Sequence, residues 1–248
     1  MALREELERQ GHWLFKWRSY LPLLILPIFL IALRNAEYLE RVVGPTAEAF
    51  WEGFCVALSF LGLTVRCVTI GYVPKGTSGR NTRVQKTHTL NTTGMYSIVR
   101  HPLYLGNLII FLGITLFVQT WWFVLLAMAA FWLYYERIMF AEEEFLRKEF
   151  GDVYLEWAAH TPAVLPNFRN WQKPSLSFSF RNILKREYSG FFGTMASFTF
   201  LKLVGNLLAE GTWELGWTWG TFFGVGVVVY LILRTMKKKT NLLDVEGR

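Results

Sequence analysis

The chain has 248 residues, of which 52% are apolar, 17% aromatic and only 18% charged, against roughly 25% charged in soluble domains. Its apolar residues gather into blocks separated by short basic segments, the hydropathy pattern of membrane-spanning helices, so the length corresponds to one membrane domain and not to two soluble ones. The net charge of +7 comes without zinc-finger spacing or a recognition-helix pattern, which excludes nucleic acid as the partner.

In chain order, Met1 to Gln10 is charged and helix-prone and reads as a cytoplasmic amphipathic lead-in, not as a removable signal peptide. Six apolar stretches follow, at 19–34, 50–73, 103–118, 121–136, 190–209 and 213–236. Each is predicted to be helical, because a helix satisfies its own backbone in lipid. Cys55 and Cys67 share the second stretch; twelve residues at about 100° each place them on different faces roughly 18 Å apart, too far to bridge. The third and fourth stretches are separated only by Gln119 and Thr120, which predicts a tight helical hairpin, with the fourth helix running on through Glu142 towards Phe150. In the last stretch Gly216, Gly220 and Gly224 recur every four residues, a ridge that lets a helix approach closely, within the protein or between copies. The fold class is therefore all-α: a polytopic transmembrane helical bundle of about six spans. Its expected divisions are 1–73 (N-terminal helices and first two spans), 74–168 (a central core) and 169–248 (a C-terminal helix pair).

Orientation follows from Lys and Arg, which are retained on the cytoplasmic side of spans. Four lie in the N-terminus, five in 74–102, eight in 137–189 and five from Arg234 onward, whereas the alternate connections hold only Arg34 and Arg41. Both termini and the two long polar segments are expected to be cytoplasmic.

The polar segments carry the chemistry. Residues 87–107 read THTLNTTGMYSIVRHPLYLGN. Pro102 suits the first position of a helix, and the orphan N–H groups after it, with the positive end of the helix dipole, form a site for an anion. Glu142 lies about 32 Å along the fourth helix from Trp121 at 1.5 Å per residue, on the face where the third helix starts. Glu142 and the His101–Tyr104 turn should be neighbours. That pairing suits a zwitterion: Glu142 for an ammonium, the helix N-terminus for a carboxylate, and Tyr96 or Tyr104 for a sulfonium or an adenine face. A solvated acidic cluster at Glu142 to Glu144 is the alternative on composition alone. His12, His88, His101 and His160 have no metal-ligand spacing, so no metal is expected.

The THTL run, Gly94, Tyr96, Arg100-His101-Pro102 and Tyr104, followed by Glu142-Glu143, Leu146, Phe150-Gly151, Tyr154, Pro162 and Pro166, closely resemble the isoprenylcysteine carboxyl methyltransferase family and its phospholipid methyltransferase relatives. The resemblance covers roughly 74–168. It implies an S-adenosylmethionine-dependent methyltransferase embedded in the membrane, with a cofactor pocket at the cytoplasmic face; the glycine-rich fingerprint of the soluble Rossmann type is absent from the sequence. Carried over by position, the family's cofactor contacts fall on His88, Thr89, Leu90, Asn91, Tyr96, His101, Pro102, Leu103, Tyr104 and Glu142, with a more distant one near Asn81. In the family an arginine one helical turn before the cofactor glutamate reaches the acceptor carboxylate. Here Ile138 holds that place, and the nearest arginine, Arg137, is either the substrate-binding residue or a positive-inside anchor. Trp157 stands where the family has tyrosine.

The implied reaction is in-line displacement of a methyl group from a sulfonium, governed by positioning. A carboxylate or phosphate acceptor needs no general base, and no catalytic base is assigned. The acceptor would be a lipid or lipidated molecule entering from the bilayer: a prenylcysteine carboxylate, a phospholipid headgroup, a lipid phosphate or a small hydrophobic thiol. The competing reading is a non-enzymatic membrane protein of the same fold that binds a lipid or partner. A transporter is disfavoured because the intramembrane charges are few and the polar sequence lies at the interface.

Overall fold

A computed structural model describes residues 2–18, 20, 24–33, 42–74 and 89–247, with Glu210 described by its backbone alone. Among them the secondary structure is helical, without strands. The helices are α1 (Leu3–Trp17), α2 (Leu26–Ala32), α3 (Pro45–Tyr72), α4 (Met95–Ile98), α5 (Pro102–Leu116), α6 (Trp121–Phe150), α7 (Asp152–His160), α8 (Phe180–Glu210) and α9 (Trp217–Lys239), with a 3-10 turn at Phe168–Asn170 before α8.

Four of these, α3, α6, α8 and α9, are long and apolar enough to cross a membrane. α5 has 15 residues, about 22 Å at 1.5 Å per residue against a hydrocarbon core of about 30 Å. Of the first apolar stretch only α2 and its flanks are described. Helix starts obey local chemistry: Pro45 and Pro102 open α3 and α5, and the Ser179 side chain accepts the Asn182 N–H at 3.3 Å to cap α8. α6 runs unbroken to Phe150 and stops at Gly151, whose φ of 52° is a conformation that glycine adopts without steric cost.

The predicted hairpin is present, with residues 117–120 connecting the helices where two residues were predicted. Gln119 takes φ 58° and the Thr120 hydroxyl donates to the Ala32 carbonyl at 3.1 Å, tying the turn to α2. Around it Phe29, Leu33, Cys55, Phe117, Phe123 and Phe198 form the apolar core.

Close helix approach depends on glycine at one interface and not at another. A Cβ on Gly62 of α3 would stand 2.6 Å from the Gly106 carbonyl of α5, and one on Gly113 would stand 2.2 Å from Ser59 Oγ. Side chains there would push α3 and α5 apart. The predicted ridge at α9 differs: none of the described residues lies within 4 Å of a Cβ built on Gly216, Gly220 or Gly224. Within the chain α9 instead packs through Gly226, against Met195 of α8.

α1 lies antiparallel along the second half of α6. Arg4 bonds Glu144 at 2.5 Å, Lys148 bonds Glu8 at 2.5 Å and Arg137 Nε bonds Gln10 at 2.9 Å. Gly11 permits this contact, since a Cβ there would be 2.1 Å from the Arg137 carbonyl.

Candidate functional site

The start of α5 is set by a clamp of backbone bonds from the segment after α7. The Arg100 N–H donates to the Pro162 carbonyl at 2.9 Å, His101 N–H to Ala163 at 3.3 Å and Asn167 N–H to Ile98 at 2.9 Å. Before α4, Gly94 (φ 61°) donates its N–H to the Gln172 carbonyl at 3.0 Å. Gln172 in turn donates to Ser97 Oγ at 2.9 Å. The indole N–H of Trp157, the residue in place of the family's tyrosine, donates to the Tyr96 carbonyl at 3.1 Å. The passage from Tyr96 to His101 is thus held from one side by the chain that follows α6.

On the other side the hairpin returns α6 to α5. Tyr104 donates its hydroxyl to Glu142 Oε1 at 2.7 Å. His101 Nε2 is 2.9 Å from Glu143 Oε1, and its Nδ1 is 3.8 Å from Glu142 Oε2. Arg100 Nε lies 3.3 Å from Glu143. The rings of His101 and Tyr104 stack at 5.6 Å, and Tyr135 packs on Tyr104 at 4.9 Å. Glu142 and the His101–Tyr104 turn are neighbours. The three acidic residues are not a solvated cluster: Glu142 faces Tyr104, Glu143 faces His101 and Arg100, and Glu144, only 4% exposed, turns to Arg4.

Tyr96 also belongs to this group. Burial, and then the charge of Glu142, push its hydroxyl above the ordinary phenol range. Burial and Glu143 do the same for Tyr154, whose side chain is 1% exposed. A buried phenol beside a carboxylate stays protonated and can only donate to it.

Pro102 brings no N–H, so Leu103 carries the first backbone donor at the α5 start. Thr89, Leu90 and Asn91 lie upstream of Gly94, where Asn91 Oδ1 accepts the Thr93 N–H at 3.3 Å and shapes the turn. His88 and Asn81 lie outside the described residues. Arg137 is not brought to Glu142: its guanidinium donates to Gln10 and to the Leu133 carbonyl, both at 2.9 Å, on the face of α6 that meets α1. Ile138 is fully buried.

Four residues that sequence reasoning left out extend the site. Asn107 donates to the Tyr135 hydroxyl at 3.1 Å and accepts from Arg66 at 2.7 Å, and Arg66 makes two further bonds to Glu187 at 2.8 and 2.9 Å. A chain of hydrogen bonds therefore runs from α8 through α3 and α5 to the ring packed on Tyr104. The signal was an arginine and an asparagine inside apolar runs, where polar groups must have partners.

Between α5 and α6 lies a shallow groove walled by Tyr104, Leu108, Phe131, Trp132, Tyr135 and Met139. Its walls are apolar, and Trp132 is itself 45% exposed, so the groove opens on the outer surface of the bundle.

The sequence model of the family described as phospholipid methyltransferase matches residues 53–153. The chain is 30% identical over 140 residues to protein-S-isoprenylcysteine O-methyltransferase B of Arabidopsis thaliana, covering 52% of this chain and 68% of that protein. It is 33% identical over 81 residues to the protein-S-isoprenylcysteine O-methyltransferase of Schizosaccharomyces pombe, covering 33% and 34%. It is 32% identical over 116 residues to a cobalt-zinc-cadmium resistance protein of Cupriavidus metallidurans, covering 47% of this chain and 53%, about half, of that relative. No solved structure matches the chain.

Proposed function

This chain belongs to the isoprenylcysteine and phospholipid methyltransferase family, and on that premise we propose that it is an integral membrane methyltransferase that uses S-adenosylmethionine to methylate a lipid or lipidated acceptor. The observation that carries the reading is the Glu142 carboxylate, hydrogen-bonded by Tyr104 at the very start of α5.

The donor set fits such a cofactor. Tyr104 takes one oxygen of Glu142, while the other has His101 Nδ1 no nearer than 3.8 Å, leaving an acceptor for an ammonium group. The N-terminal end of α5, with the Leu103 N–H foremost, offers donors to a carboxylate. Tyr96 and Tyr104 present aromatic faces of the kind that attract a sulfonium. His88, Thr89, Leu90 and Asn91 complete the proposed set, with His101 and Pro102 shaping its floor.

When bound, the cofactor supplies an electrophilic methyl on a cationic sulfur. The chain's own part is positioning. Tyr104 and His101 orient Glu142, the Pro162–Ala163 clamp fixes the α5 start, and the apolar groove gives an acceptor tail a place beside the site while excluding water from it. An anionic acceptor oxygen is already deprotonated and requires no general base. The site and both termini are read as cytoplasmic, from the basic residues that flank the spans.

Binding of labelled S-adenosylmethionine to the purified full chain tests the proposal, with Glu142→Gln expected to weaken it and Glu144→Gln to leave it unchanged. Absence of binding by the native chain would leave a non-enzymatic lipid-binding protein of the same fold. Reporters at Gln172 and the C-terminus should be cytoplasmic, and an external reporter at Gln172 would separate the site from the cytoplasmic cofactor pool.

A further inference from the structure

α9 is the most exposed of the four long apolar helices, with 6% of its apolar stretch buried within the bundle. A column of rings joins it to α8. Phe223 lies 6.0 Å from Phe192 between centroids, Phe192 lies 4.8 Å from Tyr230, and Tyr230 lies 5.5 Å from Tyr188. None of the four is fully buried, and Phe223 is 37% exposed, so the column is a ledge open to lipid. Cations stand at its end. The Arg234 guanidinium sits 5.5 Å above the ring of Tyr230 and donates to its hydroxyl, and Lys237 Nζ sits 5.2 Å above the ring of Tyr188. At 100° per residue Tyr230, Arg234, Lys237 and Lys238 share about 100° of arc, whereas Lys239 falls on the side opposite Tyr230.

The carboxylates beside this seam are already taken. Glu187, next to Tyr188, is 4% exposed and bound to Arg66, and Asp244 is bound to Lys185 at 2.6 Å. Among the described residues neither Arg234 nor Lys238 meets a carboxylate. A basic residue that only anchors a span points out into water. Here two of the cations are turned onto rings at a helix–helix seam, at the level where a lipid headgroup ends and its chains begin. The basic end of the seam is the end of the bundle that holds the site, because the start of α8 is tied to the end of α3: the Ser179 N–H donates to the Gly71 carbonyl at 2.9 Å and the Asn182 amide to the Ile70 carbonyl at 2.8 Å.

We propose that the seam between α8 and α9 binds an anionic phospholipid, with its phosphate received by Arg234, Lys237 and Lys238 and an acyl chain laid along Phe192, Phe223 and Tyr230. Basic pockets between spanning helices suit such headgroups, and a guanidinium can give a phosphate two parallel bonds. Charge selects the lipid class. A choline headgroup would bring its own ammonium into a cluster of three cations, whereas a glycerol headgroup adds no positive charge and leaves the phosphate to be neutralised by them. The bound lipid spans a helix pair that buries little of α9, and so holds α9 against α8. This site lies outside the region 53–153 matched by the family and does not depend on the methyltransferase reading.

The test is native mass spectrometry of the full chain in detergent, titrated with dioleoylphosphatidylglycerol or dioleoylphosphatidylcholine, with the melting temperature of the same samples followed in parallel. The native chain should retain phosphatidylglycerol about tenfold or more tightly than phosphatidylcholine, and its melting temperature should rise with the former alone. Arg234→Gln and Lys238→Gln should each weaken phosphatidylglycerol retention by about fivefold, the worth of one basic residue beside an anionic headgroup, and leave phosphatidylcholine retention unchanged. Lys239→Gln, an equal loss of charge on the opposite side of α9, should match native. Lys238→Gln, on the exposed last turn, carries the test if Arg234→Gln loses its fold. Equal retention of the two lipids, a loss in Lys239→Gln as large as in Lys238→Gln, as for diffuse attraction to a basic helix end, or displacement of phosphatidylglycerol by millimolar inorganic phosphate, as for a site built for the free anion, would each overturn the proposal.

Discussion

The second half of α6 has two working faces nearly half a turn apart, about 160° at 100° per residue, and they are built differently from similar residues. Towards α1, Arg137, Ala141, Glu144 and Lys148 meet Gln10, Gly11, Arg4 and Glu8, and every charged group in that row has a partner. Towards α5, Tyr135, Met139 and Glu142 meet Tyr104, His101 and an open groove, and one oxygen of Glu142 has no hydrogen-bond partner among the described residues. Reciprocal pairing closes a surface, because each desolvated charge is matched within the chain. A carboxylate held by a single phenol beside open apolar walls is left with capacity for a ligand.

The sharpest way to break this comparison is Glu142→Gln. It should raise the dissociation constant for S-adenosylmethionine by about 10- to 100-fold, as expected for a lost charge-assisted bond of about 1.5–3 kcal/mol. Glu144→Gln should stay within about twofold of native in the same titration. Equal effects would mean that the faces are not functionally distinct.

Gly11→Leu attacks the other face. Its side chain would meet the Arg137 carbonyl, an overpacking that costs about 1–3 kcal/mol, so α1 should become sensitive to limited proteolysis. Cofactor affinity should persist.

Arg137→Ala removes the bond to Gln10 and should weaken α1 docking by about 1 kcal/mol, read as a smaller rise in proteolysis. Its apparent Michaelis constant for an acceptor should match native. A raised constant with α1 still docked would move Arg137 from the docking face to the acceptor.

Lys148→Ala should have the least effect, at most about 1 kcal/mol for an exposed pair, diminishing with salt. The Lys148 bond holds the Glu8 carboxyl below the ordinary carboxylate range. This pair therefore contributes above the ordinary carboxylate pKa and is lost as pH falls through the lowered value. In Lys148→Ala, α1 protection should lose that part of its acid dependence.

Much of the framework was legible before any coordinates. The Pro102 helix start, the Gln119-Thr120 hairpin, the full reach of α6 to Phe150 and the adjacency of Glu142 to the His101–Tyr104 turn follow from proline chemistry, a two-residue connection and 1.5 Å per residue. These are local or depend on one known rise. What could not be read was rotation and register between helices distant in sequence. The roughly 100° separating consecutive residues decides that Glu142 faces Tyr104 while Arg137 faces Gln10. The same uncertainty hid the Arg66–Asn107–Tyr135 connection to α8, and it hid that close approach falls at Gly62 and Gly113, while the ridge Gly216, Gly220 and Gly224 meets none of the described residues closely. Sequence by itself determined which apolar segments are helices, roughly how far most of them extend, and which residue types stand at their ends. Tertiary structure alone decided which side of each helix meets which neighbour, because that choice depends on packing between segments more than a hundred residues apart, such as α1 on α6, where a single added Cβ at Gly11 would not fit.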